Sequence, residues 1–127
     1  MNNQGELDFS DRFSRQVYEA ESFGDMVFTG MDLSGKEFIN CSFRDCSFVD
    51  AELSGALFET CTFEACNLSN PRIDNARLID LEFVGCKLAG IRFYRCAQSV
   101  FDLHFTGCWL TSCNFTDTKM KRCSFLK

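Results

Sequence analysis

From Met26 onward an apolar residue returns at every fifth position, and the residues between follow a fixed rule. Divided into fives, the chain reads MVFTG MDLSG KEFIN CSFRD CSFVD AELSG ALFET CTFEA CNLSN PRIDN ARLID LEFVG CKLAG IRFYR. Cys96 and Ala97 then intervene, and the frame resumes as QSVFD LHFTG CWLTS CNFTD TKMKR CSFLK. The third position of all twenty blocks is apolar: Phe eleven times, Leu six times, then Ile73, Val100 and Met120. A chain that is 46% hydrophobic would do this by chance on the order of once in a million or less. The first position is small in most blocks, with Cys eight times and Ala at 51, 56 and 76.

A period of five fits neither a helix nor a plain alternating strand. It fits a short wall followed by a corner. Positions one and three lie two apart, so in extended backbone both point inward while position two points out. Positions four and five, rich in Gly, Asn, Asp, Ser and Thr, supply the turn; the glycines there are explained by positive φ. So short a wall cannot bury its own apolar face, and successive coils must stack. The expected fold is all-β, with an N-terminal cap over 1–25 and a repeat domain over 26–127. The two-residue insertion at 96–97 predicts a bulge near residues 94–99.

In residues 1–25, Phe9, Phe13, Val17 and Ala20 mark a short amphipathic helix after Ser10 or Asp11. Alternatively, Phe13, Tyr18 and Phe23 continue the five-residue spacing backwards, which would aim Asp11, Gln16 and Glu21 inward. A cap of mixed form is expected, because a solenoid end exposes unpaired backbone and apolar rungs. At the other end the chain stops in good repeat, at Cys123-Ser124-Phe125-Leu126-Lys127. That end either packs against a second copy or belongs to a longer protein.

Composition changes the picture at the cysteines. There are nine, and eight share the block position where Ala is the alternative, which is the behaviour of a small buried hydrophobe. Their spacing of five and the single His do not suit zinc, so no metal and no cofactor is expected. No secretory leader and no membrane span is visible, and a cytoplasmic location is expected, where thiols stay reduced. Lys36 and Pro71 occupy inward first positions. Lys36 should snorkel out at the N-terminal end, and Pro71 fits only if its amide makes no ladder bond. His104 occupies an outward position with no nucleophile pattern beside it, and no phosphate loop or nucleophile elbow occurs. No catalytic residue is expected, and the chain should not be an enzyme.

The blocks resemble the pentapeptide-repeat family, whose unit reads roughly Ala/Cys–Asp/Asn–Leu/Phe–polar–polar. The resemblance covers residues 26–127. It implies a right-handed quadrilateral β-helix with four blocks per coil, hence about five coils and a rod about 24 Å long at about 4.8 Å per coil. Four walls follow. Phe28, Phe48, Leu68, Leu88 and Leu110 line the first; Leu33, Leu53, Ile73, Phe93 and Phe115 the second. Phe38, Phe58, Leu78, Val100 and Met120 line the third, and Phe43, Phe63, Phe83, Phe105 and Phe125 the fourth; on the same four-block coil Cys46, Cys66, Cys86 and Cys108 should form one column of reduced thiols.

Charge then suggests partners. Residues 1–64 hold thirteen acids and four bases, a net −9, whereas residues 65–127 hold five acids and nine bases, a net +4. The first wall is nearly uncharged, with only Asp50 and Lys87, and carries Trp109. That Trp either marks a contact site or lies over a neighbouring coil. The phrases ARLIDLEFVGCKLAG and CSFRDCSFVDAEL are similar to the Cys- and Phe-rich family members that protect DNA gyrase and topoisomerase IV from quinolones or peptide toxins. In those members the rod imitates duplex DNA, with carboxylates standing in for phosphates. The resemblance implies a protein partner of the type II topoisomerase class. It makes Asp32, Glu52 and Asp74 on the second wall, and Glu37, Glu59 and Asp80 on the third, the partner-binding candidates together with Trp109. Asp45, Glu64 and Glu82 are the corresponding acids of the fourth wall. The alternative is an interaction scaffold, self-associating end to end as a homodimer or head-to-tail chain through its opposed charges. A third reading is direct nucleic-acid binding by Arg72, Arg92, Arg95, Lys119, Lys121 and Arg122.

Overall fold

The computed structural model describes residues 13–120 and 124–126. Short parallel strands stack coil on coil. Along the third and fourth walls runs one sheet, in the order Val17–Glu19, Glu37–Ile39, Leu57–Glu64, Arg77–Val84, Leu103–Thr106 and Ser124–Leu126. Ser22–Gly24 and Ser42–Arg44 join it on the fourth wall. The first wall is a separate sheet of Asn67–Ser69, Lys87–Ala89 and Trp109–Thr111. Partners lie one coil apart, with Tyr18 opposite Phe38 and Phe38 opposite Phe58. The result is the expected quadrilateral β-helix of about five coils.

The regular corners share one physical cause. Every fifth residue adopts positive φ, from Asp25 (56°) and Gly30 (67°) through Asn70 (56°) to Gly90 (65°). Gly, Asn and Asp tolerate that region best, which is why they crowd position five. Thr60 does the same at 55°, a costly choice for a β-branched residue.

The centre is a column of aromatic rings. Phe23, Phe43, Phe63, Phe83, Phe105 and Phe125 stack on the fourth wall at centroid separations of 4.9–5.1 Å. Rings on adjacent walls meet edge to face, as Phe43 does with Phe48 at 73°. Both geometries suit the aromatic quadrupole. Coils sit about 4.8 Å apart, so the sheet repeat itself enforces the stacking distance.

The ladder begins inside the segment assigned to the cap. Val17–Glu19 and Ser22–Gly24 are already rungs, and Phe13 closes the top, 5.0 Å from Phe28 and edge-on. The helix expected to include Val17 and Ala20 is replaced by strand and an αL corner; Phe9, Ser10 and Asp11 lie outside the described residues. The backward repeat needed no buried charge. Gln16 is exposed and donates to the Gly35 carbonyl, and Glu21 pairs with Arg15 at 2.5 Å. Lys36 runs to the N-terminal end, where its ammonium donates to the Arg15 carbonyl at 2.8 Å.

The insertion differs from expectation. Phe101, not Val100, fills the third wall: Phe101 is 1% exposed and Val100 47%, with Met120 opposite Phe101. Eight residues separate Phe93 from Phe101, and only four separate Phe101 from Phe105. The chain inserts three residues and recovers one by turning the next corner on Asp102 alone. Burying Phe instead of Val favours this by the larger apolar area. A 3-10 turn over Phe93–Arg95 begins the excursion. Gln98 repairs the rung it skips: the Leu78 N–H donates to its Oε1 at 3.1 Å, and its Nε2 donates to the Leu78 carbonyl. One side-chain amide thus replaces a peptide group.

Pro71 fits for the reason expected. Several first-position amides stay within their own turn, as Ala51 does by donating to the Phe48 carbonyl, although Leu81 donates to the Asp102 carbonyl of the next coil at 3.1 Å.

Candidate functional site

The outward residues are those at position two and at the corners, and the one-coil offset decides which of them meet. On the second wall Asp32 lies opposite Glu52, and Glu52 opposite Arg72. The Ser34 hydroxyl and its backbone N–H (3.0 Å) both donate to Asp32 and hold its carboxyl below the usual range. Glu52 accepts from the Ser54 hydroxyl and lies 3.4 Å from Arg72 Nε. Asp74 lies 3.8 Å from Arg95. The second-wall carboxylates are therefore engaged with this chain's own groups, two of them with arginines.

The third and fourth walls differ. Glu37 and Glu59 are half-buried and Asp80 is exposed, and none of the three makes an ion pair among the described residues. Glu37 stands opposite Val17 and Leu57, and Glu59 opposite Ile39 and Ile79. Carboxylates and apolar side chains thus alternate up the wall. The same sheet continues around the corner to Asp45, Glu64 and Glu82, with Arg44 and Arg77 as its bases. Of the seven candidates, the structure joins Glu37, Glu59 and Asp80 on this sheet and leaves Asp32, Glu52 and Asp74 on another wall.

Trp109 stands on the first wall opposite Lys87. At 71% exposure it projects outward rather than lying over the neighbouring coil.

The thiols are part of the core. Cys46, Cys66, Cys86 and Cys108 form the expected column, each donating to the carbonyl of the central residue one wall back in the preceding coil: Phe23, Phe43, Phe63 and Phe83, at 3.2–3.5 Å. The eight described cysteines are unbridged; Cys123 lies outside the described residues. Burial pushes Cys61 and Cys96 up to about 12, the opposite of what a nucleophile or metal ligand needs. Among the described residues no group of three or more His, Cys, Asp or Glu is placed to hold a metal.

His104 has company that the sequence reading missed. Its Nδ1 lies 2.8 Å from Ser124 Oγ and its Nε2 3.1 Å from Asp102 Oδ1. Ser124 faces His104 one coil away, so a twenty-residue offset would have found the pair. The trio has the membership of a hydrolytic triad, but it lies along the outer surface of a ladder, where it ties the last rung to the coil before it.

A second missed feature is a cleft on the second wall. The ladder that joins Asp32, Glu52 and Arg72 does not continue to Arg92. Arg92 adopts φ −98°, ψ 81°, short of an extended strand. Between the parted segments opens a cavity of about 320 Å3, lined by Pro71–Asp74 and by Arg92 and Arg95 among others. The two-residue slip was its only sign in the sequence.

A model of the pentapeptide repeat region matches residues 56–127, and one of pentapeptide repeats in eight copies matches residues 24–59. The chain belongs to the pentapeptide-repeat family. No curated protein sequence matches it. Among solved structures, a trypsin-treated variant of QnrB1, a plasmid-mediated fluoroquinolone resistance protein, aligns with a TM-score of 0.69 at 20% identity. The alignment covers 88% of this chain and 66% of that one, so this pentapeptide-repeat chain spans just under two thirds of the QnrB1 length. Rfr23, a pentapeptide repeat protein from the cyanobacterium Cyanothece 51142, aligns at 14% identity and a TM-score of 0.48, covering 96% and 98%. At these identities the QnrB1 likeness shows the fold. Among the described residues no helix is long and apolar enough to cross a membrane.

Proposed function

We propose that this chain is a non-enzymatic binding protein that occupies the DNA-binding surface of a type II topoisomerase and shields the enzyme from quinolones or toxins. The observation that carries this is the sheet of the third and fourth walls. Its carboxylates Glu37, Glu59 and Asp80 are free of ion pairs among the described residues, and Asp45, Glu64 and Glu82 extend them around the corner. A basic groove that normally receives phosphates would meet a field of the right sign. The step between coils is about 4.8 Å against 3.4 Å for phosphates along a strand, so the imitation is of field and shape, not of register. The fold shared with QnrB1 adds support. Such a partner is intracellular, which places the chain in the cytoplasm with its thiols reduced.

The test is a gyrase supercoiling assay with a quinolone present. Dose-dependent protection, or inhibition at excess, is expected. Reversing Glu37, Glu59 and Asp80 together to Lys should weaken the effect at least tenfold, while Glu52→Ala with Asp74→Ala should leave it nearly unchanged. If neither protection nor inhibition occurs, the reading fails.

A second reading is self-association, favoured by the change of sign along the second wall from Asp32 and Glu52 to Arg72 and Arg92. An acidic front half would meet the basic back half of another copy. Sedimentation at two salt concentrations tests this, and association indifferent to ionic strength rules it out.

A further inference from the structure

We propose that the second-wall cleft is a binding site for a small phosphate-bearing anion. Three observations converge there. The first is backbone. In the coil before, the Leu53 N–H donates to the Arg72 carbonyl and the Arg72 N–H donates to the Ala51 carbonyl. The matching bonds one coil on, from Ile73 to Arg92 and from Arg92 to Pro71, are not made, and no bridge joins Arg72 to Arg92. Two amide donors are thus released from the ladder at a place where the preceding coils spend them. Backbone N–H groups left open in this way are a common basis of anion sites.

The second observation is charge. Arg72, Arg92 and Arg95 line the same cavity, with Asp74 as its one acid. Arg72 and Arg95 have partners at 3.4 and 3.8 Å, whereas Arg92 has no ion pair among the described residues. Arg72 and Arg92 occupy the same block position in successive coils. Like charges so placed repel, and an anion between them would turn that repulsion into attraction. The third is room. About 320 Å3 is at the lower bound of small-ligand sites and exceeds what a single carboxylate would fill.

The donor geometry selects phosphate over carboxylate. One guanidinium satisfies a planar carboxylate through its two-pronged edge. Donors drawn from two parted segments and from guanidiniums lining one cavity need an acceptor with oxygens on several sides, which a tetrahedral phosphate provides. The site lies off the acidic sheet and does not depend on the topoisomerase reading.

Inorganic phosphate is the probe, titrated at constant ionic strength into the 15N-labelled full chain. The amide resonances of Ile73 and Arg92 should shift saturably, with a Kd of about 1 mM (about −4 kcal/mol). Arg92→Gln, and separately Arg72→Gln, should weaken binding at least fivefold, and the dispersed spectrum of each variant reports that it is folded. Lys87→Gln, on the first wall, should change nothing. The proposal is overturned if Ile73 and Arg92 do not shift, if acetate produces the same shifts, or if both Arg variants bind as the parent does.

Discussion

Replacing Phe101 by Ala tests the corrected register directly, because the uninterrupted repeat frame puts Val100 inside instead. Phe101 is 1% exposed, lies edge-on to Phe93 at 6.0 Å and fills the third wall opposite Met120. Truncating a buried Phe costs about 3–5 kcal/mol, part lost transfer energy and part cavity. Val100 is 47% exposed, so Val100→Ala should stay within about 0.5 kcal/mol. With a urea m-value of about 2 kcal/mol/M, the Phe101 variant should lower the midpoint by about 1.5–2.5 M and the Val100 variant by about 0.25 M or less. Gln98→Ala belongs to the same experiment. It strips the Leu78 N–H and carbonyl of the amide that substitutes for a rung, and should cost about 1–3 kcal/mol. A solenoid can unfold in segments, so hydrogen exchange at Leu78 should be followed alongside the midpoint. If Val100→Ala costs as much as Phe101→Ala, or Gln98→Ala leaves Leu78 protected, the account of the insertion is wrong.

Three further outcomes are expected. Thr60→Asn should raise stability by about 1 kcal/mol, because φ of 55° penalises a β-branched residue; a lower urea midpoint would contradict this. Leu68→Phe, in the column of Phe28 and Phe48, should partly fill an apolar cavity of about 30 Å3 bounded by Phe48, Leu68 and Ile73, gaining up to about 0.7 kcal/mol; a loss in the midpoint would show that the walls cannot admit the ring. Cys61 and Cys96 ionise near 9 when unfolded but are held up to about 12 when folded, so the native state retains protons that the unfolded chain releases. Their contribution is full below about pH 9 and falls as pH rises towards about 12; iodoacetamide at pH 8 should label Cys61 only on unfolding, and rapid native labelling would refute it.

Periodicity made the core legible because each coil asks the same thing of each position. The apolar third position, the αL corner and the thiol column all repeat, so one block predicts the next. The ion pairs were legible in principle. Arg72 is twenty residues from Glu52, the offset that stacks Phe38 on Phe58, whereas grouping Asp74 with Asp32 and Glu52 matched charge but not position. The slip was half legible. Counting gave a net gain of two residues, but not that it arises as three in and one out. That division depends on whether Phe101 or Val100 buries more area, and on Gln98 being long enough to reach both polar groups of Leu78. The cleft was not legible, since it follows from the rotated peptide at Arg92 and not from a residue type.

The repeat therefore also says where to look for function. A coil that obeys it spends its backbone donors on its neighbours and leaves only side chains to meet a partner. The sheet of the third and fourth walls is of that kind, and its reading rests on charge: Glu37, Glu59 and Asp80 make no ion pair among the described residues, and the sheet interleaves its acids with Val17, Ile39 and Ile79. The second wall departs from it. There the insertion turns the chain at Phe93–Arg95, parts the ladder and brings guanidiniums and unspent amides to one cavity. A surface of the first kind can yield much of its sequence to substitution and keep its field, since no single carboxylate is indispensable. A cleft of the second kind cannot, because its donors are set by one local geometry. The two are separable on those grounds: graded loss as charges are removed from the sheet, and at least a fivefold loss from a single change at Arg92.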